Sequence, residues 1–354
     1  MLATFKNTLI DIFLRLLKND RIRLALAQQL IESRPQLDQI ENQQSPYITI
    51  SNKLKKKAEA CDRDDIIFIT GRFRSGSTLV WNMFRQIPTV TSYYEPLNER
   101  KWFLQQNRGN NVDSTHIGVE DYWREFEGMD KLNKIFDENW IRANLYMDSS
   151  SWNPKLKEYI CELVNNASGR PVLQFNRVDF RLPWLRHHFP NAKFLHVFRN
   201  PRDQWLSFLG NTAISKEDIE FSFKDYFYLN NWCEDLAAQF PFLSIKNTPH
   251  PYQRFYYLWK LSYLYGIQYS DLSTSFEDLV TDKELVTKNM INTFGLNTTV
   301  DTMTGVIATP TLNRWKNWAN DSWYSLMESE CEKNLDLYLK TKPDDHSSNK
   351  RTAQ

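Results

Sequence analysis

The chain has 354 residues, enough for one large domain or two small ones with a substantial hydrophobic core. With 41% hydrophobic and 25% charged residues it is neither disordered nor fibrous, and 12 Trp, 16 Tyr and 22 Phe make it strongly aromatic. The 44 Lys+Arg against 43 Asp+Glu leave a formal charge of +1, so no global field favours nonspecific nucleic-acid binding, and any anion site must be local.

Near the start, Leu2, Phe5, Leu9, Ile12, Phe13, Leu16 and Leu17 recur at helical spacing, which predicts an amphipathic helix. Packing on the domain, packing on a second subunit as a homodimer surface, and lying on a membrane surface are its three readings. Asp11 and Arg15 interrupt the apolar stretch 9–17, which falls short of the roughly 20 apolar residues of a membrane span. It does not read as a signal peptide either, and a soluble, cytoplasmic chain without a transmembrane segment is expected. Residues 34–64 are mostly polar, carry Lys53, Lys55, Lys56 and Lys57, and read as a connector. Cys61, Cys161, Cys233 and Cys331 lie far apart with no C-x-x-C pair, the pattern of reduced, buried thiols.

The apolar run Ile66-Ile67-Phe68-Ile69-Thr70 suits a strand buried on both faces. Gly71 stops it, and the turn Gly71-Arg72-Phe73-Arg74-Ser75-Gly76 leads into a helix over 77–86. Further strands are expected at 171–175 and 193–198. The second is followed by Asn200-Pro201-Arg202-Asp203 and a helix through Leu209, with Pro201 in its first turn. An aromatic helix over 252–269 and a strand over 271–276 follow. Alternating strands and helices predict an α/β, P-loop-like three-layer fold: a central parallel sheet flanked by helices, with its ligand crevice at the carboxyl ends of the strands. The organisation read from this is an N-terminal helical extension and connector over 1–64, one domain over 65–342 with an acceptor-side insertion at about 95–168, and a polar tail over 343–354.

The turn after the first strand is nearly G-x-x-x-x-G-K-[ST]. Both glycines and Thr78 match, but Ser77 stands where the lysine that reaches β- and γ-phosphates would be. The departure suits a donor with a 5′-phosphate and no triphosphate chain, with Arg72 and Arg74 supplying charge; an ordinary glycine turn with exposed arginines is the plain alternative. A second anion site is expected from Arg199, at a strand end, and Ser207, eight residues on along the next helix.

Together these segments resemble the two nucleotide-binding motifs of sulfotransferases that use 3′-phosphoadenosine 5′-phosphosulfate. Arg72, Phe73, Arg74, Ser75, Gly76, Ser77 and Thr78 are similar to that family's 5′-phosphosulfate loop, in the version of tyrosylprotein and some carbohydrate sulfotransferases, and Arg199 with Ser207 resembles its 3′-phosphate motif. Ser275-Phe276-Glu277-Asp278-Leu279 also looks like a late family segment. The resemblance implies sulfuryl transfer from that nucleotide to a hydroxyl, or an amine, with adenosine 3′,5′-bisphosphate as product and no metal. It gives Glu95, 21 residues after Arg74, the role of general base. An ion pair with a loop arginine is the other role for Glu95; Glu99 is the fallback base and His116 the rival, while His187, His188 and His196 read as structural. Arg177 resembles a basic residue placed beside the bridging oxygen, where relatives have Lys, and a salt bridge is its alternative. Arg314 and Lys316 lie in a segment similar to one contacting the nucleotide. Trp81, Trp102, Trp205 and Trp315 are core residues or stack the adenine. The expected acceptor is a small molecule: a polar or guanidinium-bearing metabolite, a sugar or a tyrosyl group. A P-loop nucleotide kinase is disfavoured by Ser77, and a non-catalytic nucleotide-binding module is the third reading.

Overall fold

The computed structural model describes residues 22, 60–109, 112, 113, 116, 118–210, 214–308 and 310–341. All the contacts below lie within the unit 51–354. The expected amphipathic helix, the lysine run at 53–57 and the tail over 343–354 lie outside the described residues.

The sheet is built from β1 (Ile67–Thr70), β2 (Val90–Tyr94), β3 (Arg170–Phe175), β4 (Lys193–Phe198) and β5 (Leu272–Ser275). All four pairings are parallel, in the order β2-β3-β1-β4-β5. The chain thus departs from central β1 to one edge, returns through β3, and crosses to β4 on the far side. That reversal puts the crevice of a doubly wound sheet at the carboxyl end of β1.

The expected strands at 171–175 and 193–198 form, and the fourth ends at Ser275, whose hydroxyl accepts the N–H of Asp278 and caps a helix from Phe276. β2 was not expected. Its five residues Val90-Thr91-Ser92-Tyr93-Tyr94 have β-branched and aromatic character, but the segment is too short for periodicity to separate it from a loop.

Among the described residues the main helices are α1 (Ser77–Arg85), α2 (Pro154–Asn166), α3 (Leu182–His188), α4 (Pro201–Leu209), α5 (Leu229–Leu236), α6 (Pro251–Tyr269), α7 (Phe276–Thr281), α8 (Lys283–Phe294) and α9 (Asp321–Thr341). The pleat of β1 sorts its side chains between two cores. Ile67 and Ile69 pack with Val80, Met83 and Phe84 of α1 and Met290 of α8. Phe68 packs on the other face, its ring 6.1 Å from Phe175, 5.3 Å from Phe189 and 5.1 Å from Phe194. Truncating such a residue to Ala costs about 3–5 kcal/mol.

Between β2 and β3 the insertion runs mainly through turns and single-turn helices until α2. Arg85, on α1, holds it down: Nη2 is 2.7 Å from Asp121 and Nε 2.7 Å from Glu125. Both carboxylates and the guanidinium are largely buried, so removing one partner strands the other in a poorly solvated place.

Candidate active site

The five strand ends explain why dispersed residues meet. Thr70 is in register with Phe175 and His196, Tyr94 with Gln174, and Phe198 with Ser275. The first residues beyond the strands are therefore Gly71, Glu95, Asn176, Arg199 and Phe276, side by side along one edge. Except for Gly71, these line a cleft of about 770 Å³ together with the loop before α1.

The loop is shaped by two glycines. Gly76 sits at φ 93° as the N-cap of α1, and a Cβ there would come 2.3 Å from the ring of Phe276. At Gly71 a Cβ would meet the Val197 carbonyl at 2.8 Å. Arg74 holds φ 66°, unusual for a residue with a Cβ. No side chain caps α1 and its first turn has no acid, so its leading N–H groups and dipole face the cleft uncompensated. Ser77, in the lysine position, accepts a hydrogen bond from Gln174 Nε2 at 3.1 Å, and the Thr78 and Tyr94 hydroxyls are 3.2 Å apart.

Phe73, Arg74, Gly76, Ser77, Thr78, Glu95, Arg177, Arg199, Ser207 and Arg314 all border this cleft. Three expected residues do not. Arg72 turns away, its Nη1 3.0 Å from buried Asp179 and its guanidinium 4.4 Å above Trp232, so it braces the loop from behind. Ser75 is buried inside the turn. Lys316 lies over Trp315, on the exposed side of its segment. For Arg72 and Ser75 the reason is the tight turn, in which neighbouring side chains cannot all face one side; Lys316 sits two residues after Arg314 in a single helical turn, and so on another side of it.

Of the pair expected to form a second anion site, Arg199 is mostly buried, with its guanidinium 4.7 Å from the Phe276 ring centroid and Nε 4.0 Å from Glu277. Burial lowers the Arg199 pKa and raises that of Glu277. Arg199 Nε has no hydrogen-bond partner, with the Glu277 carboxylate beyond hydrogen-bond reach. Arg74 Nε donates to Ser207 Oγ at 2.9 Å, joining the two motifs, while Arg74 Nη1 reaches Asp113 at 3.1 Å. Asp203 accepts the N–H groups of Asn313 and Trp315 at 2.7 and 3.1 Å, fixing Arg314 beside α4. Gln204 Nε2 donates to the Phe73 carbonyl at 2.8 Å and ties α4 to the loop. These supporting residues carried no signal in the sequence beyond lying within or next to the motifs.

On the insertion side Glu95 is 7% exposed, at φ 40°. Its Oε2 accepts Asn98 Nδ2 at 2.6 Å and lies 3.5 Å from Arg177 Nη1. Arg177, entirely buried, also reaches Glu99 and lies 4.9 Å from the Phe73 ring. Glu95 therefore pairs with Arg177 and not with a loop arginine. Asn176, missed in the sequence, accepts a hydrogen bond on its Oδ1 from Arg177 Nη1 at 2.7 Å. Arginine has no acceptor, so this bond fixes the amide orientation and leaves Nδ2 as a buried donor without a partner at the cleft wall. His116 also lines the cleft, its Nδ1 bonded to the Tyr122 hydroxyl, and burial pushes its pKa down to about 4. It is neutral at pH 7.

His196 lies within β4 against Ser273, and Trp81 and Trp205 are fully buried, all structural. Trp102 lines the cleft, and Trp315 lies beneath Arg202.

A parallel α/β sheet of P-loop-like architecture, with a glycine-bounded turn after its central strand and Arg199 with Ser207 beyond the neighbouring one, defines the class. Residues 65–300 match the model of the sulfotransferase family, and the chain belongs to that family. Over 205 residues it is 24% identical to an uncharacterized protein of Archaeoglobus fulgidus, covering 51% of this chain and 65% of that relative's length. Similar solved structures are a sulfotransferase from Mycobacterium avium (13% identity, 78% of this chain and 76% of that one, TM-score 0.43) and one from Alicyclobacillus acidocaldarius (15%, 78% and 96%, TM-score 0.37).

Proposed function

We propose that the chain transfers a sulfuryl group from 3′-phosphoadenosine 5′-phosphosulfate to a hydroxyl or amine of a small-molecule acceptor, with Glu95 as general base. The observation that carries this is the convergence of the uncapped α1 N-terminus, Arg74, Arg199 and Ser207 on one cleft. One doubly anionic nucleotide would occupy both halves: its 5′ end against the 73–78 turn, its 3′-phosphate against Arg199, Ser207 and Arg314. Orphaned Arg199 Nε fits that group. When bound, the donor supplies a sulfuryl group whose bridging oxygen leaves with the nucleotide.

The chain's own residues then have separate tasks. Glu95 Oε takes the acceptor proton, oriented by Asn98 and Arg177. Arg177 and the Asn176 amide put positive charge and a donor at the wall where the transferred oxygens would lie. The neutral His116 imidazole orients the acceptor. A cleft of about 770 Å³ is in the upper range for small-molecule sites, room for a nucleotide and a modest acceptor.

Calorimetry tests the reading first: adenosine 3′,5′-bisphosphate should bind without Mg²⁺, and more tightly than ATP. A panel of phenols, sugars, alcohols, amines and guanidines with labelled donor then identifies the acceptor. Absence of bisphosphate binding, or tighter Mg²⁺-dependent ATP binding, would overturn it in favour of a kinase-like nucleotide site.

A further inference from the structure

Far apart in sequence, Cys61 and Cys161 are neighbours in space. Their Sγ atoms are 2.7 Å apart, both residues are buried, and 100 positions separate them. Cys61 lies shortly before β1, and Cys161 is on the face of α2 that also carries Lys157 one turn earlier. Two thiols in ordinary contact stay well beyond this separation, and the sulfurs lie within about 1 Å of disulfide bonding distance. Cys233 and Cys331 are different: each thiol faces a main-chain carbonyl, of Arg254 and Gln253 respectively, and no second sulfur. All four cysteines are free, buried thiols, as expected, but only Cys61 and Cys161 face each other.

We propose that Cys61 and Cys161 form an oxidation site, a thiol pair that reacts with a small-molecule disulfide and closes to a cystine joining the approach to β1 to helix α2. Cys61 Sγ attacks one reagent sulfur and expels a thiolate. Cys161 Sγ, giving up its proton, then attacks Cys61 Sγ and expels the second. Two protein thiols lose two electrons, the reagent becomes two thiols, and the two protons end on those products. Cys61 is the attacking group because its hydrogen bond with Cys161, helped by Lys157, lowers its pKa against the opposing effect of burial. Burial pushes Cys233 and Cys331 up to about 12, which leaves them unreactive. The bond would tie a residue ahead of the family-matched segment to one inside it, closing a long loop that restricts the unfolded chain.

The test uses the full-length chain, reduced and then incubated natively with oxidised glutathione, followed by denaturation, alkylation and mass mapping without reductant. The expected result is two alkylated cysteines in place of four, one linked peptide pair containing Cys61 and Cys161, and a higher thermal midpoint that reverts with reductant. In Cys61→Ser the midpoint should no longer respond, and all three remaining thiols should alkylate. Four alkylated cysteines after oxidation, stable glutathione adducts without closure, or a link through Cys233 or Cys331 would overturn the proposal.

Discussion

Arg74 and Ser207, 133 positions apart, are joined by a 2.9 Å hydrogen bond from Nε to Oγ, so the residues assigned to opposite ends of one ligand hold each other. Ser207 can keep accepting from Arg74 while its own O–H donates to a phosphate, so a nucleotide spanning the cleft would meet both residues already held in place. Arg199→Ala should weaken adenosine 3′,5′-bisphosphate binding by about 10–100-fold, the loss of a charge-assisted contact, and Ser207→Ala by about 3–10-fold. Titration calorimetry of the folded variants reads both. Equal, small effects would remove the 3′-phosphate from this end.

Glu95→Gln keeps shape and the bond from Asn98 but not basicity. Turnover should fall by about 10²–10⁴-fold while bisphosphate binding stays close to the parent value. Glu99→Gln should cost far less, because Glu99 is 41% exposed at its side chain and reaches Arg177 from the rim. If Glu99→Gln proves the more damaging, the base assignment moves to it.

Gly76→Ala places a methyl 2.3 Å from the Phe276 ring and a side chain at φ 93°. The backbone cost alone is about 1–3 kcal/mol, so both the thermal midpoint and bisphosphate affinity should drop. Gly210→Ala is the control. Gly210 also has positive φ, at 69°, but open space for a Cβ, so it should lose stability without losing affinity.

Burial holds His116, His188 and His196 at about 4, below the ordinary 6.5. Between these values the unfolded chain binds protons that the native chain does not. Their contribution is therefore full above pH 6.5 and is lost as pH falls toward 4. Near pH 5.5 unfolding should take up on the order of three protons from these groups, measurable as the slope of stability against pH. His188→Gln should lower that uptake by about one. A flat profile between pH 6.5 and 5 would contradict it.

Much of this architecture was legible in the chain because function and folding used the same punctuation. Ile66 to Thr70 followed by Gly71 and Gly76 announces strand, turn and helix, and Pro201 marks the start of α4. Arg74 and Arg199 stand just beyond strand ends, and Ser207 lies on the helix whose start Pro201 marks, which is why sequence alone could assemble them. Arg72, adjacent to an equally good motif position, could not be sorted from Arg74, because the direction of a side chain in a tight turn depends on Asp179 and Trp232, more than a hundred residues away. Asn176 and Asp203 escaped for a related reason. Their importance lies in what they leave unsatisfied or hold in place, and neither property has a local pattern.

Asp203 has one more implication. Its carboxylate grips the main chain at 313 and 315, beyond residue 300 where the family match ends. A trimmed domain cut to the matched span would leave that aspartate without these two main-chain partners and the cleft open along the flank that Arg314 lines. Anyone shortening this protein for crystallisation or display should keep the stretch carrying Arg314.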